Sequence, residues 1–306
     1  MHLTRIAFFA FLVVPGHPVP VPQASEGVTP VSNTQVATYR PYTYFASAGY
    51  CPANSTLAWS CGANCLANPD FKPIASGGEG VFVQYWFVGY SPSLKRVIVS
   101  HEGSRLNSIV SMLTDASILQ TTLNSALFPG IGSDISVHAG FLDEHAKTAT
   151  LILSAVEKAL GKYDANHVTL VGHSLVSGAL ALLDSVYLPL HLPSAVKFNT
   201  VTYGLPRVGN LAFANYVDAH LSLTRINNQK DIVPILPSRI PLPLLDYQHP
   251  AGEIHIQASG EWDSCQGQEN ESKLCSAGGT SLLTGSIANH DGLYEIEISC
   301  SYLTDV

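Results

Sequence analysis

Basic residues are scarce in this chain. Lys and Arg number 15 against 23 Asp and Glu, for a formal net charge of −8. Phosphate binding needs clustered Lys and Arg, so a nucleic-acid partner is not expected. Charge of either sign is thin, at 12% of residues, well below the roughly 25% of ordinary soluble proteins. Cysteines at C-x₂-C spacing are missing, which argues against a structural zinc. No metal or other cofactor is expected. The sequence holds no internal repeat and no low-complexity tract. Past the first residues, no stretch reads as apolar enough to cross a bilayer, so no transmembrane segment is expected.

Apolar material, by contrast, is plentiful. Hydrophobic residues make up 46% of 306 positions, enough for one large core, and a single domain is expected over residues 26–306. Residues 6–14 form an unbroken apolar run behind a weakly basic start at His2 and Arg5, and Pro15 and Gly16 break it. That length suits the h-region of a signal peptide, placed at residues 1–20 with cleavage between 16 and 25. The six cysteines fit an oxidising, extracellular compartment. They allow fifteen connectivities. Proximity favours Cys61 with Cys65 and Cys265 with Cys275, which leaves Cys51 for Cys300. Glycosylation sequons occur at Asn54 and Asn270. A secreted monomer is expected.

Apolar periodicity predicts strands at 81–90, 96–100, 135–138, 168–171, 198–203, 223–226 and 253–256, and helices at 105–128, 141–160, 178–188 and 213–220. Strands alternating with helices imply an α/β fold with a mostly parallel central sheet and helices on both faces.

The segment with the most chemistry is Val168-Thr169-Leu170-Val171-Gly172-His173-Ser174-Leu175, followed by the helix at 178–188. A buried strand, a Gly-x-Ser and a helix make the layout of a nucleophile elbow, which pushes a serine hydroxyl out above a sheet. The full G-x-S-x-G signature needs glycine at position 176, and Val176 stands there instead. A serine nucleophile needs a histidine to take its proton and a carboxylate to orient that histidine, in the chain order Ser, Asp, His. Asp231 lies in the loop after the 223–226 strand. Asp184 and Asp218 fall within helices. Downstream stand His249, His255 and His290. His255 alternates with Ile254 and Ile256 and reads as structural, while spacing alone leaves His249 and His290 both open. An oxyanion hole needs two aimed N–H donors, one of them the backbone of Leu175. Leu106, Ile109, Val110 and Leu113 form an apolar stripe at helical spacing.

Several blocks in order resemble the fungal class 3 lipase family of the α/β-hydrolase superfamily. They are Val97-Ile98-Val99-Ser100-His101-Glu102-Gly103-Ser104, Val137-His138-Ala139-Gly140-Phe141, the Ser174 segment, Thr202-Tyr203-Gly204-Leu205-Pro206-Arg207, the stretch from Asn227 to Pro234, and the surroundings of His290. The resemblance runs from about Cys51 to Cys300. It implies an α/β-hydrolase fold stapled by the three disulfides above, with Ser174, Asp231 and His290 as catalytic triad. It also implies Ser104 as the second oxyanion donor and the stripe at Leu106, Ile109, Val110 and Leu113 as a lid. The implied activity is hydrolysis of a carboxylic ester at a lipid interface, first of all triacylglycerol, with feruloyl or cell-wall esters as an alternative substrate class. The family pattern has one glycine where this chain has Val176-Ser177. A bulged but working elbow, a catalytically impaired lipid-binding relative, and a misplaced exon boundary are the three readings of that difference.

Overall fold

Apolar residues alternate between two cores across one sheet. Along the strand Arg96–His101, Val97 and Val99 pack into one cluster while Ile98 packs into the other. Trp86 and Val88 likewise part from Phe87 on the neighbouring strand. A sheet covered on both faces needs apolar residues at successive positions, which is why these strands read as continuous runs. Each fully buried Val, Leu, Ile or Phe stabilises the fold by roughly 1.5–3 kcal/mol.

The computed structural model describes residues 27–103, 118–239 and 245–300. The strands are β1 (Val28–Pro30), β2 (Lys72–Gly77), β3 (Trp86–Ser91), β4 (Arg96–His101), β5 (Gln120–Thr122), β6 (Ser136–His138), β7 (His167–His173), β8 (Lys197–Tyr203), β9 (Leu223–Asn228), β10 (Glu253–Ile256) and β11 (Trp262–Cys265). Nine of them form one sheet in the order β1-β11-β10-β9-β8-β7-β4-β3-β2. The centre, β4, β7, β8, β9 and β10, is parallel. Both margins are antiparallel, so the sheet is mixed, with a parallel middle as expected. Strands β5 and β6 form a separate antiparallel pair.

Among the described residues the helices are α1 (Asn33–Gly49), α2 (Ala53–Ala58), α3 (Ala63–Leu66), α4 (Ala139–Ala146), α5 (Ala149–Tyr163), α6 (Ser174–His191), α7 (Leu211–His220) and α8 (Ser276–Gly279). Helix α1 covers one face with Phe45, Ala46 and Ala48. Helices α4 to α7 cover the other, with Phe141, Ile152, Val156, Leu182 and Phe213 among their buried residues. Side-chain caps fix several helix starts. Ser32 accepts from the Gln35 N–H at 3.2 Å, and Asn210 accepts from the Phe213 N–H at 2.9 Å.

Four expectations are corrected. The predicted helix at 105–128 is not one over its described part. Gln120–Thr122 is a strand paired with Ser136–His138, and Asn124 then turns the chain by accepting the Leu127 and Phe128 N–H groups. The predicted helix at 141–160 is two, parted at Lys147 and Thr148. Both pieces face the same core, so apolar spacing carries straight through the break. The strand expected at 81–90 begins only at Trp86, because the Glu79 carboxylate accepts from the Phe82 and Val83 N–H groups and curls that stretch into a turn. Finally, α6 is long and apolar enough to cross a membrane by length and composition, contrary to the sequence reading; 83% of that stretch is buried inside the fold, where it serves as the core helix.

The three disulfides join Cys51 to Cys300, Cys61 to Cys65 and Cys265 to Cys275, as expected. Of the two sequons, Asn54 is exposed on α2. The Asn270 amide nitrogen donates to the carbonyls of Gly27 and Gln266. The signal-peptide expectation falls on residues 1–20, outside the described residues.

Candidate active site

The ends of β7, β8 and β9 bring the site together, all at the carboxyl edge of the parallel sheet, where α/β folds gather their functional groups. Strand β7 passes through His173 directly into α6, and Ser174 stands on the junction with φ 73°. A positive φ on a serine is strained backbone. The close packing that holds it depends on Gly172, where a Cβ would run into the Ser177 carbonyl. Leu175 falls in the first turn of α6, where backbone N–H groups have no intrahelical acceptor and the helix dipole favours negative charge.

Asp231 lies just beyond β9, and His290 reaches it from a loop 59 residues further on. His290 Nδ1 is 3.0 and 2.9 Å from the two Asp231 carboxylate oxygens, so this nitrogen carries the proton and donates. Nε2 is then the free lone pair, and it accepts the Ser174 hydroxyl at 2.7 Å. All three residues are buried, with Ser174 at 0% exposure. The carboxylate is fixed in turn by the Val233 N–H at 2.9 Å and by the Tyr294 hydroxyl at 3.4 Å. Burial holds the Tyr294 phenol well above its ordinary pKa, so it stays a donor.

Gly204, at the end of β8, lets the dyad close up. Its φ is +58°, and a Cβ there would sit 2.7 Å from Asp231 Oδ2 and 2.8 Å from His290 Cε1. Only glycine takes that conformation at no steric cost.

A sequence model of the class 3 lipase family matches residues 98–240. A secreted mono- and diacylglycerol lipase of Malassezia globosa is 31% identical over 211 residues, covering 68% of this chain and 67% of that protein. The chain belongs to the class 3 lipase family. A secreted mono- and diacylglycerol lipase of Malassezia restricta is 30% identical over 202 residues, which span 65% of this lipase-family chain but only 61% of the relative. Among solved structures, a lipase of Yarrowia lipolytica superposes with a TM-score of 0.75 at 25% identity, covering 90% of this chain and 98% of that one.

Within this class 3 lipase chain, the residues at the point of departure from the family pattern have defined places. Val176 lies in the regular helix, buried at 3% exposure, and is not among the residues with positive φ. The positive φ at the elbow belongs to Ser174 instead. Ser177 bridges two strands: its hydroxyl donates to the His101 carbonyl at 2.8 Å and accepts from the His173 N–H at 3.1 Å.

The other histidines fall elsewhere. His249 is buried and donates from Nε2 to the Pro234 carbonyl at 2.7 Å. His255 lies beside Glu253 and Ser276. Asp184, inside α6, receives Nε2–H donors from His101 at 2.7 Å and His145 at 2.9 Å. Burial raises its pKa, but these two donors outweigh that and hold it at about 2. Ser104 and the stripe of Leu106, Ile109, Val110 and Leu113 lie outside the described residues. Sequence reasoning missed Tyr50, His173, Gly204 and Tyr294 as parts of the site. Adjacency to motif residues was the one available signal: His173 precedes Ser174, and Gly204 lies inside a family block.

Proposed function

We propose that this chain is a secreted carboxylic ester hydrolase acting on acylglycerols, with Ser174 as nucleophile, His290 as base and Asp231 as its orienting acid. One observation carries the reading: a continuous line of hydrogen bonds from Ser174 through His290 to Asp231, at 2.7 and 2.9 Å.

The chemistry follows from the proton positions. The Ser174 hydroxyl gives its proton to His290 Nε2 as its oxygen attacks the ester carbonyl. Asp231 stabilises the imidazolium that forms. The developing oxyanion meets the Leu175 N–H at the start of α6, with Ser104 as the second donor in this reading. Collapse of the tetrahedral intermediate returns the proton to the leaving alcohol and leaves an acyl-enzyme. Water, deprotonated by His290, then releases the fatty acid. Removing one oxyanion donor lowers kcat by roughly 10²–10³-fold.

The Malassezia relatives are named for mono- and diacylglycerols, and that supports acylglycerols over feruloyl esters. Ser174 is wholly buried, so a substrate needs a covering element to move. The apolar stripe from Leu106 to Leu113, which starts soon after Gly103, is assigned that role here. The intact Ser174–His290 hydrogen bond supports a working elbow over a catalytically impaired one. The three disulfides support export to an oxidising compartment.

The test is labelling with a fluorophosphonate, together with hydrolysis of mono-, di- and triacylglycerols and of methyl ferulate. Labelling at Ser174, abolished in Ser174→Ala, and acylglycerol turnover above ferulate turnover are expected. A folded protein that never labels overturns the reading.

A further inference from the structure

We propose that Tyr50 and His173 form a hydrogen-bonded strut that positions His290 for proton transfer, which makes both of them positioning residues for the hydrolysis. The inference rests on the catalytic role given to His290 above.

The proton positions follow from the partners. His173 Nε2 is 2.9 Å from the His290 backbone carbonyl, which can only accept. The proton of His173 is therefore on Nε2, and Nδ1 presents a lone pair. The Tyr50 hydroxyl lies 2.6 Å from that Nδ1 and must be the donor. Tyr50 thus fixes the tautomer of His173, and His173 fixes the main chain of His290. The two imidazoles also stack, with ring centroids 4.6 Å apart and planes 26° from parallel. The Tyr294 hydroxyl lies 3.2 Å from the same carbonyl and 3.4 Å from Asp231 Oδ2, so its one proton is shared between them.

The charge state suits the task. Burial, followed by the nearness of His290, holds His173 well below its ordinary pKa. A neutral ring therefore faces His290 when that residue takes up the serine proton. A charged one would repel the imidazolium. Burial also keeps the Tyr50 phenol protonated, with Asp291 and Glu102 adding to the effect.

The strut also explains a glycine. A Cβ at Gly103 would strike the Tyr50 hydroxyl and the His173 carbonyl. The segment leading to Ser104 can therefore lie against Tyr50 and His173 only without a side chain at this position. Tyr50 itself closes α1 as its C-cap, immediately before Cys51.

The experiment compares Tyr50→Phe, His173→Phe, the double variant and His173→Gln in the full chain. Hydrolysis of a soluble p-nitrophenyl ester, the rate of fluorophosphonate labelling and the unfolding midpoint are measured for each. Phenylalanine at 173 keeps a stacked ring but removes both hydrogen bonds. Glutamine restores a donor to the His290 carbonyl. A misplaced catalytic group lowers turnover by up to about 10²-fold. His173→Phe is expected to lose about 10- to 100-fold in kcat with KM unchanged, and His173→Gln to recover most of that loss. Tyr50→Phe, an isosteric change expected to fold, should lose about 5- to 20-fold alone and nothing further on top of His173→Phe. Effects that multiply in the double variant overturn the strut. So do variants that lose stability but turn over at the wild-type kcat. A wild-type chain that neither labels nor hydrolyses overturns the hydrolase reading, and the strut falls with it.

Discussion

The hydroxyl of Ser177 donates to the backbone carbonyl of His101 at 2.8 Å, across the top of the sheet. His101 ends the strand that leads to the Gly103-Ser104 segment, and Ser177 lies in the first turn after the nucleophile. The one-residue departure from the family pattern thus supplies a tie between the two edges of the site. Ser177→Ala leaves a buried carbonyl and the His173 N–H without this partner. Such a loss costs about 1–3 kcal/mol. Urea unfolding should show the midpoint falling with an unchanged m-value, and kcat should fall with it.

Gly204→Ala tests the positive φ beside the dyad. The added Cβ has nowhere to go between Asp231 Oδ2 and His290 Cε1. Strain of this kind costs about 1–3 kcal/mol. Displacing the imidazole should lower kcat by about 10²-fold or more. Steady-state kinetics on a soluble ester should show the loss in kcat rather than in KM.

Asp231→Asn separates orientation from bulk. The amide cannot hold the tautomer that leaves Nε2 of His290 free, and in a comparable triad that change lowers kcat by about 10⁴-fold. Slow fluorophosphonate labelling should report the same defect without turnover.

Asp184→Asn is expected to lower stability by roughly 1.5–3 kcal/mol, the range for a hydrogen bond to a charged group. The carboxylate accepts from two imidazoles, and an amide can accept from only one while turning an N–H toward the other. Thermal unfolding at pH 7 measures the loss.

Stability should fall as acid is added, in two stages. Burial, with Arg225 nearby, lowers the His249 pKa to about 3. An unfolded histidine titrates near ~6.5. Below that pH the unfolded chain binds a proton that the fold refuses, so stability drops as pH falls from ~6.5 toward 3. His173 acts in the same direction. In the second stage, burial of Glu269 works to raise its pKa, but its hydrogen bonds from Arg207 outweigh this and lower it to about 2. Its contribution is complete above the unfolded value near ~4.3 and is lost as pH falls to 2. Each uncompensated proton adds a slope of about 1.4 kcal/mol per pH unit. His249→Gln should flatten the limb between pH 6.5 and 4.5 and leave the lower limb in place. Urea midpoints taken across that range are the check.

Much of this architecture was legible from residue order. β-Branched runs such as Val97-Ile98-Val99 and Val168 to Val171 marked central strands, because a strand buried on both faces has no polar side. Glu253–Ile256 was read to the residue. Helix α1 was not read at all, since Pro41 and several tyrosines blur its apolar face. At the site, the elbow and Asp231 could be placed by motif and chain order. His290 and His249 could not be separated by spacing, because what parts them is tertiary: one loop turns toward Ser174 and the other packs under Pro234. The strut was hidden for the same reason, as 123 residues separate Tyr50 from His173.

The bridge between Cys51 and Cys300 closes a span of 249 residues; Tyr50 adjoins it at one end, and His290 lies inside it toward the other. During synthesis, the nucleophile is made 116 residues before the base that activates it. On the proposed triad, a growing chain therefore carries an unactivated serine until the His290 loop has been made and has folded back against it.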